Sequence, residues 1–238
     1  MSNRYTTFEE FKEQMLPIKE SFSHIEPNME LKQKRSSLSD YIPMIFYINL
    51  DNRTDRKEAL EKELVEFGLP FERFSAIKHE FGAVGCSKSH VAVIKLAKER
   101  KYPRVMILED DFTFVSHRDN VERVLGQVRD EAKPYDVCMI SHNILQSEEL
   151  PESYWRKMTN GQTTSGYIIQ EHYYDVLLGV VEPSISLLEQ THQNNNYAID
   201  VVMKQLQPRD KWYYMTERLG IQRPSYSDIE SRQVDYNV

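Results

Sequence analysis

The apolar run Val105-Met106-Ile107-Leu108, entered through Pro103, passes without a break into three carboxylates, Glu109-Asp110-Asp111. A short run of this kind reads as a buried strand, and in open α/β sheets ligands collect beyond the carboxyl ends of strands. Three adjacent carboxylates offer only oxygen donors. These suit a hard cation such as Mn²⁺ or Mg²⁺, and an ion held there can neutralise a departing diphosphate. Acidic residues after a strand also solvate turns or cap helices, so the metal reading depends on the rest of the chain.

The hydrophobic pattern around this strand sets the layer architecture. Residues 44–50 are aromatic and β-branched and predict the first core strand. Asp55 and Glu58 have the spacing of a capping box, Leu60, Leu64 and Phe67 line one helical face, and Gly68 supplies the stop. A strand over 71–76, a glycine-containing loop and a helix over 89–100 come before the acidic strand. Val121, Val124, Leu125 and Val128 mark another helix, and residues 135–140 another strand. Strands alternating with helices predict an α/β fold with a mainly parallel sheet covered on both faces. After about residue 150 the pattern changes. Asn160-Gly161 between two apolar stretches predicts a hairpin, followed by helices over 171–180 and 197–206, a strand over 212–215 and an irregular tail. Phe8, Phe11, Met15 and Ile18 stand at helical spacing before Pro27, so residues 1–40 read as a helical extension and linker, and 41–238 as the compact domain.

At 238 residues, with 40% hydrophobic and 28% charged residues, the chain reads as an ordinary globular protein. A formal net charge of −7 without a dense Lys/Arg block argues against nucleic acid as a partner. Residues 1–5 open into polar sequence rather than an apolar leader, and no run of about 18 apolar residues occurs. The expectation is a soluble cytoplasmic protein without signal peptide, anchor or transmembrane segment. Cys86 and Cys138 read most simply as reduced thiols in or near the core, although a disulfide between them stays open.

Two further junctions carry polar chemistry. Asn49, Leu50, Arg53 and Arg56 lie at the end of the first strand and the start of a helix, where backbone amides and arginines favour an anion such as phosphate. The same residues suit a capped helix with solvated arginines. In Gly82-Ala83-Val84-Gly85-Cys86-Ser87-Lys88-Ser89-His90, two glycines permit close backbone approach, and Ser87 or Ser89 is available as an N-cap. His90 either contacts a phosphate or sugar hydroxyl or is a satisfied buried histidine. The glycine spacing fits neither a Walker A loop nor a dinucleotide fingerprint.

In chain order, "YINLDNRTDRKEAL" (47–60), "GAVGCSKSH" (82–90), "ILEDD" (107–111), "TSGYII" (164–169) and, more weakly, "YAIDVVM" (197–203) and "QRPSYSDI" (222–229) resemble glycosyltransferase family 25. That family includes lipooligosaccharide galactosyltransferases and collagen hydroxylysine galactosyltransferases. Ala83 stands where the family usually has Glu, and Lys88 where it usually has Leu.

The resemblance implies a GT-A fold with a nucleotide-sugar half over 41–145, an acceptor half over 146–238, and Mn²⁺ or Mg²⁺ under the donor diphosphate. It implies Asp111 as the direct metal ligand together with Glu109, and Glu109 or Asp110 on the ribose or a metal-bound water. Asn49, Leu50, Arg53, Arg56, Gly85, Ser87 and His90 would border the nucleotide, and Gly166 and Tyr167 the sugar or acceptor. It further implies an inverting transfer from a UDP-sugar, UDP-galactose first and UDP-glucose next, to a hydroxyl on a glycan or a hydroxylysine-type acceptor. Such a transfer needs a carboxylate to take the acceptor proton. Asp200 is the first candidate and Asp228 the second, the latter also as a late metal ligand. Asp200 equally suits the first turn of a helix as a dipole-stabilised residue. Trp212, Tyr213 and Tyr214 either stack on a sugar or fill the core. Two other classes compete. A catalytically silent scaffold would lose the carboxylates, and a nucleotidyltransferase would carry a Gly-rich, Lys-containing loop where "INLDNRTDR" has no glycine.

Overall fold

The computed structural model describes residues 41–130, 134–150, 154–227 and 232–234. The expected extension over 1–40 and Asp228 lie outside the described residues.

The first half alternates as the periodicity requires. Strand β1 (Ile45–Asn49) is buried along its whole length. Helix α1 (Thr54–Phe67) buries Leu60, Leu64 and Phe67 and ends at Gly68, whose φ of 63° is left-handed. Then come β2 (Phe71–Ser75), α2 (Gly82–Glu99), β3 (Arg104–Glu109), the short β4 (Phe112–Phe114), α3 (Arg118–Asp130) and β5 (Val137–Met139). The second half contains β6 (Asn143–Glu149), β7 (Trp155–Gln162), β8 (Gly166–Gln170), α4 (Tyr174–Thr191), the single turns α5 (Asn194–Tyr197) and α6 (Ile199–Val202), and β9 (Trp212–Met215). Three short strands follow, β10 (Gly220–Gln222), β11 (Ser225–Ser227) and β12 (Arg232–Val234), where an irregular tail was expected.

Eight strands form one sheet in the order β2-β1-β3-β8-β5-β9-β7-β6. Strands β1, β2, β3, β5, β6 and β9 run one way, and β7 and β8 run against them. Side-chain alternation in β1 builds two cores at once. Ile45 and Tyr47 join α1 and α3 on one face, whereas Phe46 and Ile48 join α2, α4 and α6 on the other. Trp212 and Tyr213 belong to these cores, one on each side, so neither is a sugar platform.

Local expectations fail at three places. Asn160-Gly161 is not a hairpin turn but lies inside β7, which pairs with β6 and β9 and not with β8. Its glycine is there for space, because a Cβ on Gly161 would come within 2.5 Å of Met158 Sδ, beside the irregular register of β6. The stretch 82–90 is not a loop but the first turns of α2, whose N-cap is Phe81 rather than Ser87 or Ser89. Gly85 is needed because a Cβ would sit 2.5 Å from the Ile77 carbonyl oxygen. The capping box at Asp55 is absent as well. Arg53 is the N-cap, without a side-chain bond, and its guanidinium pairs with Asp55.

Both cysteines are free. Among the described residues no helix is long and apolar enough to cross a membrane.

Candidate active site

Because β1 and β3 are parallel neighbours, Asn49 and Glu109 finish at the same sheet edge. Antiparallel β8 begins there, with Gly166 opposite Leu108. The chain entering β8 is pulled across the end of β3, since the Glu109 amide donates to the Ser165 carbonyl at 2.9 Å. A cavity of about 400 Å³ opens at this edge, walled by Leu50 and Asn52 from the β1 side, by the start of α2, and by Glu109, Asp110 and Asp111.

The carboxylate triplet is held by a small network. Arg56 on α1 donates from one nitrogen, Nη1, to Asp110 Oδ1 at 2.8 Å and to Asp111 Oδ2 at 3.0 Å. Asn49 Nδ2 donates to Asp110 Oδ2 at 2.7 Å, and Arg73 Nε fixes Asn49 through its Oδ1 at 2.8 Å. Gln222, returning on β10, donates to Asp111 Oδ2 at 3.2 Å. The other oxygen, Asp111 Oδ1, is buried and accepts no hydrogen bond. Burial first, then the charges of Glu109 and Asp110, push the Asp111 carboxyl up to about 7 despite Arg56. Burial also raises Asp110, and the bonds from Arg56 and Asn49 only partly offset it.

Glu109 turns the other way. Its Oε1 accepts from His90 Nε2 at 3.1 Å and from the Thr164 hydroxyl. Burial opposes ionisation, yet these partners outweigh it and hold the carboxyl below its ordinary range. The His90 ring is fully buried, and its Nδ1 lies 3.0 Å from the Tyr167 hydroxyl. Asp200 sits in the first turn of α6, with its carboxyl raised by burial and next by the charge of Glu109, against a lowering bond from the Thr163 amide. Thr163 itself has φ 80°, a left-handed conformation that a β-branched residue adopts only under strain. That strain turns the chain sharply between β7 and β8 and aims Thr164 at Glu109.

The sequence-predicted residues therefore divide. Leu50, Arg56, Gly85, His90, Glu109, Asp110 and Asp111 line the cavity. Asn49 stands one layer behind, holding Asp110. Tyr167 is buried in the core and reaches the site only through His90. Gly166 lies against the Phe112 ring, 2.8 Å from where its Cβ would be. Ser87 is fully buried with an unpartnered hydroxyl, and Arg53 is engaged with Asp55; neither is among the cavity-lining residues. Thr164, Arg73 and Gln222 were not singled out from sequence. Thr164 and Gln222 stand inside quoted motifs, whereas Arg73 lies in a strand whose pattern gave no sign of it.

A "Glycosyltransferase 25 family member" of Drosophila melanogaster is 27% identical over 194 residues, 64% of this chain and 29% of that protein. A namesake in Drosophila pseudoobscura pseudoobscura is 26% identical over 180 residues, 63% of this chain and 27% of that protein. The chain resembles the glycosyltransferase 25 family. It spans less than a third of the length of these family-25 relatives. No family model matches it. Among solved structures, a glycosyltransferase involved in glycosylation of the major capsid of PBCV-1 superposes with a TM-score of 0.50 at 14% identity, over 79% of this chain and 95% of that one. The fold is of the GT-A type.

Proposed function

We propose that this chain is a metal-assisted, inverting glycosyltransferase domain that moves a hexose, galactose before glucose, from a UDP-sugar to a hydroxyl on a glycan or modified protein. Residues 41–145 hold the donor and 146–238 the acceptor. The observation that carries this reading is Asp111 Oδ1, a buried carboxylate oxygen without a partner at the wall of a cavity of about 400 Å³. A buried polar atom left unpaired is costly, and an all-oxygen donor set fits a hard divalent cation. Asp111 and Glu109 would hold such an ion, which when bound supplies positive charge against a leaving diphosphate.

The remaining work falls to the chain's own groups. Asn49 and Arg73 keep Asp110 in place beside the cavity. Arg56, already shared between two carboxylates, is placed to share its charge with a phosphate. Asp200 takes the proton from the acceptor hydroxyl, and the elevation of its carboxyl makes it a stronger base than a solvated aspartate. Asp228 stays a second candidate for that role.

Incubation with Mn²⁺ and a panel of nucleotide-sugars, read as released nucleotide and as glycosylated acceptor, tests the proposal. UDP-galactose should be turned over fastest and EDTA should stop the reaction. A different nucleotide, or retention of the anomeric configuration, would overturn the corresponding part. One observation favours a second reading, a silent sugar-nucleotide binder. Arg56 already offsets one carboxylate charge, and Asp111 keeps its proton up to about 7, so a cation is not obligatory for charge balance. UDP binding that needs no metal, without any turnover, would favour it.

A further inference from the structure

Beside the carboxylate triplet lies a second set of donors with a different chemistry. Cys86 and His90 stand four residues apart on α2, so they share one helical face, and Glu109 meets them from the end of β3. The Cys86 Sγ, a ring nitrogen of His90 and a carboxylate oxygen of Glu109 all lie within 4.8 Å of one another. The tighter pairs are His90 Nε2 to Glu109 Oε1 at 3.1 Å and Cys86 Sγ to the same oxygen at 4.0 Å. All three residues line the cavity, so an ion has a way in.

We propose that Cys86, His90 and Glu109 form a binding site for a thiophilic divalent cation, zinc foremost, which adjoins the all-oxygen site at Asp111 and shares Glu109 with it. Sulfur, imidazole and carboxylate are the ligand types of tetrahedral zinc, whereas a hard ion has no use for the thiolate. Zinc bond lengths to sulfur and nitrogen place tetrahedral ligands about 3.5 Å apart. The widest pair, Cys86 Sγ to the His90 nitrogen, therefore has to close by no more than about 1.3 Å, within reach of side-chain rotation at Cys86.

His90 is prepared for the role. Its Nδ1 is already engaged by the Tyr167 hydroxyl at 3.0 Å, the kind of outer partner that orients a ligating imidazole. When Nε2 binds the ion, the ring proton moves to Nδ1 and the tyrosine oxygen changes from donor to acceptor, so the contact that orients the ring is kept. Cys86 gives up its thiol proton to solvent and binds as thiolate. Burial first, then the charges of Glu109, Asp200 and Asp111, hold the free Cys86 thiol protonated, and a dication bound beside these groups would offset that penalty. A tetrahedral ion held by these three groups would keep its fourth position for water.

Cobalt is the probe, because it takes zinc sites and absorbs light. Titrated with Co²⁺ without any sugar nucleotide, the reduced full-length protein should bind one ion with a thiolate-to-cobalt charge-transfer band, and Zn²⁺ should bleach it. Cys86→Ser should lose the band, Cys138→Ala and Asp111→Asn should keep it, and His90→Gln should weaken Zn²⁺ binding in competition with a chromophoric chelator. A folded wild-type protein with no band, or a band that survives Cys86→Ser, overturns the proposal. The wild-type spectrum decides even if Cys86→Ser fails to fold. The assay contains no donor or acceptor, so its failure is independent of the sugar-transfer reading.

Discussion

Replacing Asp111 by Asn should stabilise the metal-free protein at pH 8 and leave it close to the wild type or weaker at pH 5. In the unfolded chain an aspartate ionises near 3.9, whereas folded Asp111 keeps its proton up to about 7. Between those values the folded state binds more protons than the unfolded one, so stability falls as pH rises, and above about 7 the loss is complete. With about 1.4 kcal/mol per pKa unit, linkage puts the penalty at roughly 4 kcal/mol at pH 8 and roughly 1.5 kcal/mol at pH 5. Asn keeps an oxygen for Arg56 and Gln222, and its amide group replaces Oδ1, which accepts no bond. The new buried amide costs about 1–3 kcal/mol at either pH. The difference between the two pH values, about 2.5 kcal/mol, is therefore the quantity to measure. Urea or thermal unfolding in EDTA at pH 5 and pH 8 reads it, at roughly 2–4 °C per kcal/mol for a chain of this size. Mn²⁺ should stabilise the wild type at pH 8 and leave the variant unmoved. A pH-independent effect of Asp111→Asn would refute the argument that like charges and burial strain this carboxylate.

Three other perturbations have defined outcomes. Asp200→Asn should lower turnover about a hundredfold to ten-thousandfold with UDP affinity unchanged by calorimetry, since the amide keeps the shape but accepts no proton. Arg56→Gln should cost about 3–5 kcal/mol in urea unfolding at pH 8 because it removes the counter-charge shared by two buried carboxylates, and Mn²⁺ should recover part of that loss. Gly85→Ala should raise the donor KM with less effect on the acceptor KM, because its Cβ must displace the Ile77 backbone that walls the cavity.

Elements whose stability rests on one apolar face were readable in the sequence. Leu60, Leu64 and Phe67 on α1, and Val121, Val124, Leu125 and Val128 on α3, are buried as their spacing requires. Gly82 to His90 was misread as a loop because glycine near a helix start looks like a turn. The reason for Gly85, a carbonyl 2.5 Å from its missing Cβ, comes from Ile77 and is tertiary. Asn160-Gly161 misled in the same way, a turn signal spent on room for Met158. Within the site, Glu109-Asp110-Asp111 could be read directly because the three are contiguous. Arg56 bridging Asp110 and Asp111 from 54 and 55 positions away, and Thr164 on Glu109 from 55, leave no periodic trace.

The way β10 comes back to β4 bears on when the site comes into being. Gln222 reaches Asp111 across 111 residues, and the Arg223 amide caps the Asp111 carbonyl. Closing so long a loop is entropically slow and is rewarded only after the sheet between has formed. A growing chain thus carries its acidic triplet open on one side until residues near 222 have been made. Cation affinity should then appear late in synthesis, as the closing event of folding rather than its nucleus.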